Sequence, residues 1–342
     1  MTVKINKPEI NIREKLSEID KPVGAAGQDM IAAETSQQQF NLIGAGRKNI
    51  LINAMFEVSQ RGNYQVDNGG TGWTASSPTY GVDRWYAYGN GVAVTTSTSE
   101  QTLPTGQTVL AMKCVATASS ASSFLHPAQN FEVARWMEGQ DFTYSCWVKT
   151  NRVGQYVRMC NTLSCWTISE EVPADGEWHF MTGTQNMGTG ITLTSSAQFQ
   201  PAFGGGALAT GDYVEFALPQ VELGRVATPF EYRSYGEELA LCQRYYQLNI
   251  SNTAFTNSAT SCRIGISGVV QMRAQPSLTI VDATGRVEDF GIANRNLVSL
   301  ASFSPGGVSG TMGGAVDATI TSSSSSRPHI LFAGSIGLDA EI

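Results

Sequence analysis

The strongest constraint in this sequence is a change in the spacing of its apolar residues after residue 48. From there on, apolar and polar side chains alternate in runs rich in Val, Thr, Phe, Tyr and Trp, a period that is typical of β-strands. Clusters such as Asn68–Gly70 and Pro173–Gly176 separate the runs and predict turns. The first predicted strands are Ile50–Val58, Gly91–Thr98, Thr108–Thr117, Phe142–Lys149, Gln155–Thr162, Glu177–Thr184 and Asp212–Glu222. Many strands with no long helix between them predict an all-β sandwich or jelly roll.

The pattern divides the chain into four segments. Tyr235–Gln247 has helical spacing, with acidic residues near its start, and predicts a linker helix between two β regions. The alternating run that ends at Ile342 predicts a terminal strand held in a sheet. The predicted segments are an N-terminal arm (1–48), a jelly-roll domain (49–234), the linker helix (235–248) and a C-terminal β-sandwich that oligomerises or lies distally (249–342).

The N-terminal arm carries one short amphipathic helix. Ile12, Leu16 and Ile19 recur at i, i+4 and i+7, and Pro22 ends the pattern. A single short helix with a narrow apolar stripe does not fold alone, so it must dock on another surface. Two surfaces remain open at this point: the protein's own β domain or another subunit.

Composition and charge exclude several classes of partner. Charged residues make up 15% of the chain, the net charge is −7, and no Lys- or Arg-rich run is present. Nucleic-acid binding is therefore not expected, because nothing in the sequence would neutralise a phosphate backbone. Apolar runs are too short for a membrane span, and Met1–Pro8 is not followed by the apolar core of a secretory signal.

Six cysteines in 342 residues do not resemble a disulfide scaffold. Cys160 and Cys165 could meet across a tight hairpin, but the favoured interpretation is six reduced thiols in a protein made in the cytoplasm.

No catalytic or metal-binding motif is apparent. The three histidines, His126, His179 and His329, have no metal-ligand spacing and predict structural or surface roles. The only adjacent acidic pair of the middle domain, Glu170–Glu171, precedes a turn, where a solvated loop is expected rather than a glycosidase site. We therefore predict a non-enzymatic protein without cofactor or resident metal, with a calcium ion held by loop carboxylates left open.

Aromatic residues cluster in a stretch rich in Gly, Ser, Thr and Asn. Sugar rings stack on indole and phenol rings while polar neighbours bond their hydroxyl groups. Trp73, Tyr80, Tyr86 and Tyr88 are accordingly the candidate glycan-binding residues, with Trp73 expected in a loop. Trp85, like Trp147 and Trp178, is expected to be a core residue, and a loop indole can also be a lid on its own domain.

Several segments resemble virion proteins of tailed bacteriophages, mostly tail-fibre or other structural proteins. They are NILINAMFEVSQRG (49–62), YGVDRW (80–85), FTYSCWVKT (142–150), VELGRVATPFEYRSYGEELALCQRYYQ (221–247), the terminal LDAEI and the leader-like segment from INIREKL to GRKN. LINAMFE and QVELG…TPFE are also similar to jelly-roll carbohydrate-binding modules.

The resemblance implies a virion component, usually a homotrimeric fibre or spike that docks on the particle through its N-terminus and faces the host with its distal part. The sequence has no repetitive shaft, so a short fibre or spike that attaches to a host-surface glycan is expected, with Ile12, Leu16 and Ile19 as the anchor. Assembly is expected in the bacterial cytoplasm, with other tail or capsid proteins as partners. A capsid decoration protein or head fibre is the first alternative, and a secreted carbohydrate-binding protein is the second.

Overall fold

The structure is a computed structural model of the chain, in which Met1–Lys48 and Asn49–Ile342 form two separate compact units. Ile12, Leu16 and Ile19 lie outside the described residues, so the anchoring helix stays a prediction. The described residues are 48–60, 73–75, 79–80, 82–89, 92–132, 135–160, 165–190, 196–249, 252–258, 261–267, 272–273, 277–280, 286–289, 293–305, 313–320, 328–331 and 336–339.

The predicted all-β class is confirmed, and the first β region is a sandwich of two antiparallel sheets. The first sheet has the strand order β1-β4-β5-β13-β7-β10. Its strands are β1 (Trp73–Ala75), β4 (Val94–Thr102), β5 (Thr108–Ala116), β7 (Asp141–Thr150), β10 (His179–Asn186) and β13 (Tyr213–Leu223).

The second sheet has the order β2-β3-β6-β11-β8-β9, and a short strand β12 also pairs with β6. Its strands are β2 (Thr79–Tyr80), β3 (Tyr86–Gly89), β6 (Ser120–Glu132), β8 (Tyr156–Cys160), β9 (Cys165–Glu171), β11 (Ser196–Phe203) and β12 (Gly205–Leu208). A short 3₁₀ helix, Arg135–Met137, lies between β6 and β7.

The core between the two sheets is centred on Trp85, which is fully buried. Its indole meets the rings of Phe56 and Phe216 at centroid distances of 5.4 and 5.3 Å, and Phe199 lies at 6.5 Å. Its Nε1 donates to the Asn53 carbonyl oxygen at 2.9 Å, so the polar end of the ring is satisfied. The predicted core role of Trp85 is confirmed.

The predicted strand Ile50–Val58 is wrong. Asn53 and Phe56 have φ values of 55° and 59°, in the left-handed region that interrupts an extended strand. The Asn53 side chain holds this turn, because its Nδ2 donates to the carbonyl oxygens of Val58 and Asp83 and its Oδ1 accepts from the Val58 amide. Asn tolerates this conformation through such local bonds, which an alternation of apolar residues does not reveal.

The predicted linker helix is present as α1, Tyr235–Gln243, and it ends before Gln247. Tyr246–Asn249 instead forms strand β14. The helix packs on the jelly roll, where Cys242 and Tyr245 join Ile52 and Val58 in a small apolar cluster.

The C-terminal region differs in form from the predicted β-sandwich. Six of its strands close into a barrel in the order β15-β16-β20-β19-β18-β21, and the rest form a three-stranded sheet β14-β22-β17. Strand β21 pairs with β15 on one side and with β18 on the other, and these two pairings close the barrel. The strands are β15 (Asn252–Ser258), β16 (Ser261–Ser267), β17 (Ser277–Ile280), β18 (Arg286–Asp289), β19 (Ala293–Pro305), β20 (Gly313–Ile320), β21 (Pro328–Leu331) and β22 (Ile336–Asp339). The expected terminal strand is confirmed by β22, which lies between β14 and β17.

A polar cluster links the end of β6 to the region beyond it. The Glu132 carboxylate accepts a hydrogen bond from Tyr245 Oη at 2.8 Å, and the guanidinium groups of Arg244 and Arg273 lie 3.3 and 3.4 Å from the same oxygen. Arg84 stacks on the Tyr245 ring at 3.5 Å. These groups keep the pKa of Glu132 below its usual range, even though burial acts in the opposite direction.

Candidate functional site

The second sheet presents a row of polar and aromatic side chains on the face opposite the core. Leu125, Phe131 and Phe199 point into the core cluster, so the residues that alternate with them on the same strands lie on the other side of the sheet. We call that side the polar-aromatic face. Its described members are Tyr86 on β3, which also contacts the core cluster, Phe124, His126 and Asn130 on β6, Gln198, Gln200 and Phe203 on β11, and Arg158 on β8.

Hydrogen bonds between side chains hold one half of this face in place. Gln198 Nε2 donates to Tyr86 Oη and, at 3.1 Å, to Asn130 Oδ1. Gln200 Nε2 in turn donates to Gln198 Oε1 and lies 3.7 Å from Cys160 Sγ. These contacts join four strands and fix the orientation of the amide groups. The entropic cost of ordering these groups on ligand binding is therefore lower.

Two properties of this network suit an uncharged polar ligand. Burial raises the pKa of Tyr86 to about 12, so its phenol stays protonated and neutral. Gln200 is 3% exposed, and its Oε1 accepts no hydrogen bond from any described residue. A buried amide oxygen without a partner is costly, and it offers an acceptor to a hydroxyl group that reaches it.

Aromatic rings form the other half of the face. The His126 ring lies 6.1 Å from Tyr86, 5.7 Å from Phe124 and 5.8 Å from Phe203, and the two Phe rings are 5.5 Å apart. Burial lowers the pKa of His126 to about 4, and the nearby charge of Arg158 acts in the same direction. The imidazole is therefore neutral near pH 7 and contributes a flat, uncharged ring.

A disulfide borders the face. Cys160 and Cys165 lie opposite each other on β8 and β9, and their sulfur atoms are bonded. The favoured interpretation of six reduced thiols is therefore wrong. Directly paired positions on antiparallel strands bring the two Cα atoms to 4.0 Å, slightly below the usual disulfide range of about 4.4–6.8 Å. Cys114, Cys146 and Cys242 are buried and do not take part in this disulfide.

The structure distributes the predicted glycan-binding residues over both sheets. Trp73 lies in strand β1, opposite Thr96 of the first sheet, and not in a loop as predicted. Tyr80 pairs with Tyr86 at the edge of the second sheet, and Tyr88 pairs with His126. Tyr86 is 5% exposed and belongs to the hydrogen-bond network. The second sheet thus brings three of the four together beside the polar-aromatic face, and Trp73 is separate.

Most of the face was missed from the sequence. Its amides and rings belong to strands on which every second residue faces the core, and no local motif marks them. Only the pairing of β6 with β3 and β11 brings Tyr86, Asn130 and Gln198 together, and these residues are far apart in the chain. The sequence feature that could have indicated this face is a series of predicted strands with polar residues at alternate positions.

The outer face of the first sheet is different. Lys149 Nζ forms an ion pair with Glu215 at 2.8 Å and lies 4.7 Å from the centre of the Trp178 ring. Trp147 contacts Phe180 with ring centroids 5.2 Å apart. We call these five residues the ion-pair face. Glu215 is buried, so its carboxylate depends on the ammonium group beside it.

Two further findings concern the described residues. No three His, Cys, Asp or Glu side chains come together there as a group that could hold a metal ion. No helix in this part of the chain has both the length and the apolar character needed to cross a membrane.

No family model matches the chain, and no curated protein matches it. Solved structures align with part of it. A xylanase from Clostridium thermocellum with CBM22-1 and GH10 modules, complexed with xylohexaose, is 13% identical over 52% of this chain and 29% of its own, with a TM-score of 0.32. The enzymatically active domain of tailspike protein 4 of bacteriophage CBA120 is 12% identical over 52% of this chain and 21% of its own, with a TM-score of 0.34. The CBM22-1 xylan-binding domain from Paenibacillus barcinonensis is 12% identical over 48% of this chain and 100% of its own, with a TM-score of 0.29.

The chain thus spans less than a third of the first two of these proteins. We take the function from this chain's own side chains, because a shared β-sandwich does not carry a shared activity.

Proposed function

We propose that this chain is a structural protein of a tailed-phage virion, a short fibre or spike, and that its jelly roll binds host-surface polysaccharide through the polar-aromatic face. The observation that carries the binding proposal is the ordered set of amides and neutral rings on one side of the second sheet. Ligand sites combine apolar and aromatic walls with a few fixed polar groups, and this face has both. The virion role rests on the resemblance of the sequence segments.

The network explains how such a face would hold a sugar. Rings at Phe124, His126 and Phe203 offer surfaces for the C–H faces of pyranose rings. The amides of Gln198 and Gln200 are already oriented by their neighbours, so a sugar hydroxyl meets groups that need no reorganisation. Neighbouring strands lie about 4.8 Å apart, so the row from β3 to β8 has the length of an oligosaccharide rather than of a single ring.

Gln198→Ala tests the face directly. Gln198 is partly exposed, so its loss removes hydrogen bonds without opening the core. We expect roughly tenfold weaker binding to any polysaccharide that the wild type binds, from the loss of one or two hydrogen bonds. Binding is measured on a glycan array and by calorimetry. The matched control is Gln101→Ala, a partly exposed Gln on the first sheet. Equal loss in both variants, or none in either, contradicts the assignment of the site.

The virion role has its own experiment. Leu16→Asp places a charge on the predicted apolar stripe and is expected to give a folded protein that is lost from particles. Incorporation is measured by mass spectrometry of purified virions, with Glu18→Gln, off the stripe, as the control. Wild-type incorporation of the Asp variant contradicts the anchor.

We further propose a homotrimer as the working form. Three copies would multiply a weak single-site affinity through avidity. Light scattering of the purified chain measures the stoichiometry, and a stable monomer at micromolar concentration favours the capsid-decoration alternative.

The disulfide is compatible with both the virion role and the secreted alternative. Disulfides persist on virion surfaces and in secreted proteins alike, so the Cys160–Cys165 bond fits both locations. Detection of the chain in purified particles, rather than free in the medium, separates them. In either setting we propose binding without catalysis, so incubation with a bound polysaccharide is expected to release no reducing sugar.

A further inference from the structure

Among the described members of the polar-aromatic face, Arg158 on β8 is the one cationic side chain. Its guanidinium carbon lies 4.0 Å from the centroid of the Phe203 ring, and this stacking fixes the plane of the group. Within the described ranges no carboxylate lies within ion-pair distance of Arg158. Strand pairing places Arg158 directly opposite Gln200, the residue whose buried Oε1 lacks a partner.

Two carboxylates on other strands of the second sheet are already bonded to other groups. Glu171, on the neighbouring strand β9, accepts a hydrogen bond from the Gly154 amide at 2.5 Å and from Tyr156 Oη at 3.3 Å. Glu132, at the end of β6, is bonded to Tyr245, Arg244 and Arg273. The guanidinium of Arg158 is thus charged and partly buried, and it is held in position by a ring rather than by an anion.

We infer that the ligand of this face is an acidic polysaccharide, and that Arg158 binds a sugar carboxylate while the amides and rings bind the neutral part of the repeat. This inference rests on the proposed function and narrows it to one class of ligand. A planar guanidinium matches the two oxygens of a carboxylate through paired N–H donors, a fit that an ammonium group does not provide. The net charge of −7 repels polyanions in general, so the single fixed cation selects the acidic sugar by position.

The test compares each acidic polymer with its own neutral form. Hyaluronan, alginate and polygalacturonate are titrated onto the full-length protein before and after chemical reduction of their carboxyl groups, with dextran and galactan as neutral polymers and dextran sulfate as a sulfated polymer that has no carboxyl group. We expect at least one uronic-acid polymer to bind about tenfold more tightly than its reduced form. That advantage should shrink as salt is raised from 0.05 to about 0.5 M, because screening weakens a partly exposed charge contact.

Variants assign the effect to Arg158. Arg158→Gln should bind the acidic polymer and its reduced form equally, and Arg158→Lys should recover only part of the preference. The matched control is Arg225→Gln, which also removes one positive charge, from an exposed residue paired with Asp141 on the first sheet. It should keep the full preference, and circular dichroism melts confirm that all three variants are folded.

The outcomes separate the two proposals. If neutral and reduced polymers bind as tightly as the acidic ones, the carboxylate inference is overturned and carbohydrate binding stands. If only dextran sulfate binds and Arg158→Gln abolishes that binding, the anionic group is a sulfate ester and the carboxylate assignment is wrong. If none of the polymers binds, the polar-aromatic face is not a glycan site and both proposals fail.

Discussion

The two outer faces of the sandwich share a strand geometry but place their polar groups in opposite ways. On the ion-pair face, the Glu215 carboxylate is buried beside Lys149, and each charge already has its partner. On the polar-aromatic face, the amides of Gln198 and Gln200 are ordered by their neighbours, while among the described residues the Gln200 Oε1 has no hydrogen-bond donor and the Arg158 guanidinium has no carboxylate partner. The comparison teaches that burial of polar groups alone does not mark a site. What distinguishes the polar-aromatic face from the ion-pair face is a buried amide oxygen that its neighbours orient and that no described residue bonds.

The largest expected effect is on the ion-pair face and concerns stability only. Lys149→Ala leaves the Glu215 carboxylate buried without its cation and should lower the free energy of unfolding by about 3 kcal/mol. Urea denaturation measures it. Lys149→Met combined with Glu215→Leu should recover most of the loss, since no uncompensated charge remains. A change in glycan affinity of the folded Lys149→Ala protein would break the division of roles between the two faces.

The next effect concerns pH and the polar-aromatic face. The pKa of His126 falls from about 6.5 in the unfolded chain to about 4 in the folded protein, so between these values the unfolded state binds more protons. The stability that comes from keeping His126 neutral is fully present above pH 6.5. It falls as the pH drops, and below pH 4 the free energy of unfolding is lower by about 3 kcal/mol on this account. Unfolding free energies from pH 7 to 4 should therefore fall more steeply in wild type than in His126→Gln. His179→Gln is the control and should keep the wild-type slope. An equal slope in wild type and His126→Gln would contradict a buried neutral imidazole.

The disulfide should have a smaller effect. A short closed loop constrains the unfolded chain only modestly, so reduction should lower the free energy of unfolding by about 2 kcal/mol. Denaturation with and without a thiol reductant measures this. A Cys160→Ser/Cys165→Ser variant should be insensitive to the reductant, and a reductant effect of similar size in that variant would assign the stabilisation elsewhere.

The smallest effect is expected at an exposed ring of the ion-pair face. Phe180 is 50% exposed, so Phe180→Ser should change the free energy of unfolding by about 0.5 kcal/mol or less and leave glycan binding unaltered. Measured beside Gln198→Ala, the Phe180→Ser variant sharpens the comparison of the two faces. Phe180→Ser removes exposed apolar surface, whereas Gln198→Ala removes oriented hydrogen bonds. Weaker glycan binding by the Phe180 variant would move the site to the first sheet.

The all-β class and the linker helix could be predicted because they depend on local periodicity. The failures at Ile50–Val58 and Trp73 have the opposite cause. Side-chain bonds of Asn53 fix a left-handed turn within an apolar run, and pairing with β4 places Trp73 in an edge strand. Tyr86 could be named as a candidate glycan-binding residue because aromatic residues surround it in the sequence. Gln198 and Gln200 could not, because a glutamine in a strand acquires its role only from the strands beside it.

The cluster at Glu132 bears on how such a chain can be exchanged by recombination. A crossover at residue 234 would deprive the jelly roll of Tyr245, which stacks against Arg84 and completes the cluster with Ile52 and Val58. A crossover beyond Arg273 would keep the bonds to Glu132 but separate β15 and β16 from the other barrel strands. Neither cut leaves both folds whole. We therefore expect residues 49–342 to be exchanged as a single unit, and a change of the proposed ligand to come from substitutions within the polar-aromatic face rather than from an exchange of domains.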